Sequence, residues 1–580
     1  MINSPRRPIR DLPTRGKLFA LVAMLVLALG VTLAACGGDD EEAVPPAPPP
    51  AQPEPPPPAP APPEPPPPAP PPPPAAPDLG FDPNQPVQAQ VEGATPRERV
   101  INGLIALNAE GVEFPEELTI YTEDLWAQGV ASIEEEWLAD LQAAGLPPIA
   151  LNVLEGPAGA YTDEIIADAA TGAGAYDISP AYPPLMPDLH DAGYVADLTE
   201  YVLKYDPDLE DFVAPVNDLW SSYNGRVYGL PTDGDTWLFY YRKDWLNHPD
   251  EQALFQERYG RELRVPATWQ EHWEVIEHFT RDPGDMLAGE VVDEFVAGSC
   301  EWRTAPPDLA PWWFFMRLWS YGGRYFDDNM NASINSPAGV HALEDLIRQM
   351  DWMHPDAVTY DYVECVDHQA NGNVFSNISW PGAGKQSQDP ATSETIGLWG
   401  YSVVPGPTSS TASGSMMFVS KQSGVNPEIA YLFTQWFMDP SIIGPIYHQN
   451  FNYDTIRASL FEDPAFQEGF PVANSREYLL AQKANLAQGI PEPLMPGYSE
   501  YRLNLNTEMV EAYVGSKSAQ DALDAAAEQW DRTTQAVGID SQKAVWDNLL
   551  ARWERALPTG VADPDPGITD YQTPARNFGG

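Results

Sequence analysis

The sequence predicts an α/β protein of two domains, and three observations predict it. Short strand-like runs alternate with well-capped helical segments from about residue 95 onward, the pattern of central sheets flanked by helices. Roughly 460 residues lie between that point and the tail after about residue 558, too many for one small hydrophobic core. No internal repeat divides this stretch.

Taken in chain order, the first 35 residues read as an export signal. Arg6, Arg7, Arg10, Arg15 and Lys17 make a basic front, and an uncharged apolar run from Leu18 to Ala35 follows. Small residues then precede a cysteine in Leu33-Ala34-Ala35-Cys36, which matches the bacterial lipobox; Cys36 is expected to carry lipid and become the mature N-terminus. The run is just long enough to span a bilayer, so an uncleaved helix is the competing reading. Residues 36–94 are the lipidated cysteine and a disordered spacer. Positions 41–77 are nearly all Pro and Ala and favour extended polyproline II. At roughly 3.1 Å per residue, about 30 such residues reach on the order of 90 Å. A proline-rich ligand for another module is the alternative.

Composition narrows the partners. The formal net charge of −53 repels nucleic acid and anionic lipid and disfavours an anionic substrate, although adaptation to salt is the favoured account of it. Of three cysteines, Cys36 belongs to the anchor, and Cys300 and Cys365 are expected to pair as one disulfide outside the cytoplasm. No Cys/His cluster has zinc spacing. Asp327, Asn329 and Asn331 open like a calcium loop, but Ala332 replaces the turn glycine and Ala338 the bidentate glutamate, so no metal and no cofactor is expected.

Helix starts are well marked. Thr95-Pro96-Arg97-Glu98 sets a cap, a first-turn proline and a capping-box glutamate in order, and Thr268-Trp269-Gln270-Glu271 repeats the box. Ser336-Pro337 opens a helix with Val340, Leu343, Ile347 and Met350 on one face; Asn426-Pro427 opens another, ending at Asp439-Pro440, and Ser518 to Asp521 begins one more. The strand-like runs are 118–122, 149–154, 238–241, 373–379 and 401–404. The tail beyond about residue 558 has no periodicity and reads as disordered.

Several blocks, in order, resemble the family 1 extracellular solute-binding proteins, the group that includes maltose-binding protein. They are Tyr176-Asp177-Ile178 with Ala192-Gly193-Tyr194-Val195-Ala196-Asp197-Leu198-Thr199; Tyr228-Gly229-Leu230-Pro231 with Phe239-Tyr240-Tyr241-Arg242-Lys243-Asp244; and Val265-Pro266-Ala267-Thr268-Trp269. Gly322-Gly323, Ile334-Asn335-Ser336-Pro337 and Trp399-Gly400-Tyr401-Ser402-Val403-Val404-Pro405 continue the series. The resemblance covers about residues 118–538. It implies a two-lobed, periplasmic-binding-protein-like (type II) fold with a hinge. The chain is expected to cross near 230–240, near 399–405 and near 450. Lobe 1 is then 118–234 with 405–450, and lobe 2 is 235–404 with 451–540. A helical extension (95–117) precedes them, and a C-terminal helix with a disordered tail (541–580) follows. The protein is expected to be a monomer, lipid-anchored on the extracytoplasmic face of the membrane (periplasm or cell surface). By the same resemblance it closes on a solute between its lobes and is read by the permease subunits of an ABC importer.

Sugars offer hydroxyls to paired polar groups and apolar C–H faces to flat aromatic rings, so a sugar cleft combines both at the carboxyl ends of strands. Asp124 and Trp126 follow the first strand, Tyr182 follows Asp177, and Asp233 and Asp235 sit at the first crossover, where Asp-Gly also reads as a turn. Trp380 follows the run 373–379, and Tyr498 follows Pro496-Gly497; the resemblance implies an aromatic platform at both. Trp302 and Arg303, beside Cys300, are further candidates, whereas Trp312, Trp313 and Trp319 fall at helical spacing and read as core. A carbohydrate is the expected solute. A polyamine or betaine is the alternative within the binding class. A lipid-anchored glycoside-acting enzyme is the alternative outside it, without nucleophile elbow, metal motif or phosphate loop in its favour.

Overall fold

A computed structural model describes residues 82–83, 85–157, 161–214, 216–303, 310–406, 409–410, 414–449 and 452–556. The export signal, Cys36, the Pro/Ala run and the tail after residue 556 lie outside the described residues. Among the described residues, no helix is long and apolar enough to cross a membrane.

Two central sheets carry the architecture. Their strands are β1 (Glu117–Glu123), β2 (Ala150–Gly156), β3 (Ile178–Ala181), β4 (Gly229–Pro231), β5 (Leu238–Arg242), β6 (Ala297–Cys300), β7 (Val374–Ser379), β8 (Trp399–Ser402) and β9 (Met416–Val419). The first sheet runs β2-β1-β3-β9-β4 and the second β6-β7-β5-β8. In the first, β1 is parallel to β2 and β3, while β9 is antiparallel to β3 and β4. In the second, β6 and β7 are parallel, and β5 is antiparallel to β7 and β8. All five residues of β5 are buried, as a strand covered on both faces requires.

The caps act as their spacing suggests, displaced by one residue. Thr95 accepts from the Glu98 amide at 3.2 Å, while the Glu98 carboxylate reaches the amide of Ala94 rather than that of Thr95. Glu271 likewise reaches the Ala267 amide. The helix so opened, Pro96–Ala109, lays Val100, Leu104 and Leu107 into the core and packs on helix Pro427–Phe437 beside the first sheet.

The chain passes between the sheets from β4 to β5, from β8 to β9, and again through residues 452–457. These passages touch. The Gly234 amide donates to Asp454 O at 2.8 Å, and a Cβ at Gly234 would lie 2.3 Å from Thr455 O. A Cβ at Gly414 would lie 2.3 Å from Asp233 O. Gly234 is therefore required for close approach of backbones and not for a turn: residues 232–237 run without one.

The lobes also meet away from the crossovers. The Gly497 amide donates to Asp188 Oδ1 at 2.9 Å. The last helix, Ile539–Ala556, rests Trp553 on Trp319 and Trp546 on Tyr325 and Phe326 of the second lobe, and its Arg552 Nη1 donates to Ser222 O of the first at 2.6 Å.

Candidate functional site

Residues just past the carboxyl ends of β1, β3, β6 and β7 meet one another or the second lobe, forming a seam at the strand ends where open α/β sheets bind ligands. From the first lobe come Glu123 at the end of β1, Trp126 one turn later, and Tyr182 just after β3. The ring of Trp126 stands edge-on to Tyr182, with centroids 5.5 Å apart, and its Nε1 donates to Asn452 O at 2.8 Å. Tyr182 reaches across to Trp312 of the second lobe, 6.4 Å between centroids.

From the second lobe, Trp380 follows β7 and is ringed by Trp237 (4.5 Å), Trp313 (5.4 Å), Tyr362 (5.6 Å), Trp312 (5.7 Å) and Trp302 (5.8 Å). The disulfide between Cys300 and Cys365 joins the end of β6 to helix Tyr362–Asn371, which carries Tyr362. Tyr182, Asp235, Tyr362 and Trp380 are partly exposed.

The seam floor is acidic. One carboxylate oxygen from each of Asp233, Asp235 and Asp454 lies within 4.8 Å of the others. Asp233 Oδ1 accepts from the Asp454 amide at 2.6 Å, and Asp454 Oδ2 accepts from the Gly382 amide at 3.1 Å. The Lys385 ammonium sits 3.1 Å from Asp454 Oδ1 and donates to Tyr453 O. Burial, and then the neighbouring carboxylates, push Asp233 and Asp235 well above the usual carboxylate range. Burial, reinforced by Asp124, brings Glu123 up to about 7.

The other candidates fall out differently. Asp124 is exposed and accepts from the Leu125 amide in the first helical turn. Trp302 is buried against Trp313 and Trp380. Arg303 is fully buried and committed elsewhere, to Glu301 and Gln349 at 3.1 Å each, in a network with Arg317 and Asp345. Tyr498 is buried, its hydroxyl donating to Glu492 and its ring under Arg502. Trp312, read as core from its spacing, is buried but faces Tyr182 and Trp380.

A family model for bacterial extracellular solute-binding proteins matches residues 128–441. The chain belongs to this family. Solved structures similar to this solute-binding protein include an ABC transporter solute-binding protein of Agrobacterium radiobacter K84 in complex with ribitol. It has a TM-score of 0.59 and 21% identity, over 72% of this chain and 98% of that one. The maltose-bound MalE3 protein of T. maritima has a TM-score of 0.57 and 19% identity, over 72% and 99%. The GacH receptor of Streptomyces glaucescens, studied with acarbose, has a TM-score of 0.56 and 18% identity, over 73% and 98%. These likenesses establish the two-lobed fold. A probable amino-acid ABC transporter periplasmic-binding protein of Sinorhizobium fredii is 26% identical over 238 residues, 40% of this chain and 49% of that protein.

Sequence reasoning missed Asp454, Lys385, Tyr362 and Trp237 of this solute-binding protein. The expected return crossing near 450 was the one signal for Asp454; nothing marked Tyr362, which opens a helix and does not follow a strand.

Proposed function

We propose that the chain is the solute-capturing component of an ABC importer, held to the membrane through lipid on Cys36, and that its solute is a carbohydrate. The observation that carries this is the meeting, in one seam, of flat rings from both lobes (Trp126 and Tyr182 with Trp312 and Trp380) and the carboxylates of Asp233 and Asp235. Rings take the C–H faces of a sugar and carboxylates take its hydroxyls. Ligand contacts are assigned to Trp126, Tyr182, Asp235 and Trp380. Asp124 and Arg303 are left out because one faces solvent and the other is spent in a buried ion network. Membership in a solute-binding family supports capture rather than turnover, and the sugars and polyols carried by similar structures support the solute class. Closure by hinge motion would then present the loaded form to the permease.

Isothermal calorimetry with a panel of mono- and oligosaccharides tests the reading. A binder is expected to quench tryptophan fluorescence and to lose roughly tenfold or more in affinity on Trp380→Ala. Hydrolysis of a bound sugar, or indifference of every binder to Trp380→Ala, would overturn it.

A further inference from the structure

We infer that the solute presents a cationic amino group to the floor of the seam, where Asp233, Asp235 and Asp454 receive it. The inference rests on reading the seam as the solute site and names a feature of that solute. Three carboxylate oxygens converge within 4.8 Å. Asp233 is fully buried, and its Oδ2 accepts no hydrogen bond, so one acceptor in the cluster stands ready and unused. A neutral hydroxyl supplies one donor and leaves Asp233 and Asp235 favouring their protonated form. An ammonium brings three donors and the opposite charge, the stronger partner for a buried carboxylate.

The surroundings favour an organic cation over a metal ion. Lys385 already places an ammonium 3.1 Å from Asp454 Oδ1, so the cluster accommodates that chemistry, and a divalent ion would press against the same positive charge. Rings stand close by: a Cβ on Gly382 would be 3.3 Å from the Tyr362 hydroxyl and 3.9 Å from Asp454 Oδ2, and Tyr362 faces Trp380. Rings hold an alkylammonium through its carbon chain and by cation–π attraction, and they do not ligate metals. With Lys385 paired to Asp454, Asp233 and Asp235 confront each other. The upward displacement of both carboxyls is relieved when a cation arrives.

The experiment uses the full chain and three matched trisaccharides: the fully deacetylated glucosamine trimer, its N-acetylated form and cellotriose. Spermidine and calcium chloride alone complete the set, and wild type is compared with Asp235→Asn, a partly exposed position. The glucosamine trimer or spermidine is expected to bind at least roughly tenfold tighter than the neutral sugars, with the preference collapsing in Asp235→Asn while its melting temperature is unchanged or higher. Equal or better binding of cellotriose overturns the amino-group inference and leaves the sugar reading standing. Stabilisation by calcium alone, abolished in Asp235→Asn, overturns it in favour of a metal site. Silence of every probe removes both readings.

Discussion

Arg552→Met isolates the contribution of the last helix to lobe closure. The helix is built into the second lobe by Trp546 and Trp553, yet the Arg552 guanidinium donates to Ser222 O of the first lobe at 2.6 Å. Methionine keeps the apolar stem and removes the donor. A hydrogen bond from a charged group contributes about 1.5–3 kcal/mol, and here it acts only while the lobes are together. In an opened molecule Ser222 O would be hydrated, so the loss of this bond falls on the closed state, whereas the bond from Arg552 Nε to Asn548 Oδ1 within the helix is lost in both; the closed-state part weakens solute affinity by a factor of about 10 to 100. The faster step is expected to be release, read as an increased dissociation rate by stopped-flow fluorescence with the best binder of the sugar panel. At one subsaturating solute concentration, small-angle scattering should show a larger radius of gyration for the variant than for wild type. An unchanged Kd and unchanged scattering, with only a lower melting temperature, would refute the argument and make the helix a simple brace.

Glu301→Gln should cost about 3–5 kcal/mol in urea unfolding, because it leaves Arg303 and Arg317 buried without their shared anion. Burial would raise the Glu301 carboxyl, but the two guanidinium groups outweigh it and hold it low. Replacing Cys300 and Cys365 by serine opens a loop of sequence separation 65 and should remove about 4 kcal/mol, with reductant reproducing the fall in melting temperature of wild type. Acid should destabilise the fold through His272. Burial, with Arg317 and Arg303 nearby and Glu301 opposing them, lowers its pKa to about 3, and both ring nitrogens lack partners. The unfolded chain therefore binds a proton that the native chain refuses from about pH 6.5 down to about 3, and stability falls with pH in that window. The loss is about 2 kcal/mol between pH 7 and 5, and His272→Phe should flatten that slope in chemical denaturation.

Much of the fold was legible because its signals are local. The runs read at 118–122, 149–154, 238–241 and 373–379 became β1, β2, β5 and β7 within about two residues, since each is apolar and bounded by turn or cap residues. β3, β6 and β9 left no such trace. Ile178-Ser179-Pro180-Ala181 and Ala297-Gly298-Ser299-Cys300 carry small or breaking residues that strand propensity disfavours, and burial between neighbours overrides that preference. Five helix starts were legible for the reverse reason: the cap at Thr95, Thr268, Ser336, Asn426 or Ser518 is satisfied by the helix it opens and needs no tertiary partner.

The site was legible only where strand ends announce it. Trp126, Tyr182 and Trp380 each follow a strand of a parallel pair, so chain direction alone sends them toward the seam. The acidic floor follows a different rule. Asp233 and Asp454 are 221 positions apart, and the bond between them exists because two passages lie in contact through Gly234. Contact between passages is a property of sheet order, which no local pattern encodes. Arg303 makes the same point in reverse, for it sits beside the disulfide near the seam yet turns to Glu301, because an unpaired guanidinium inside the lobe would cost more than a surface one gains. The crossovers thus do two jobs that compete. They must pack tightly enough to act as a hinge, and they must hold carboxyl groups in the interior. Tight packing drives out the water that would otherwise hydrate those groups, so Asp233 and Asp235 favour their protonated form and Lys385 offsets Asp454, and a cationic solute would compete with the protons for the same carboxyls.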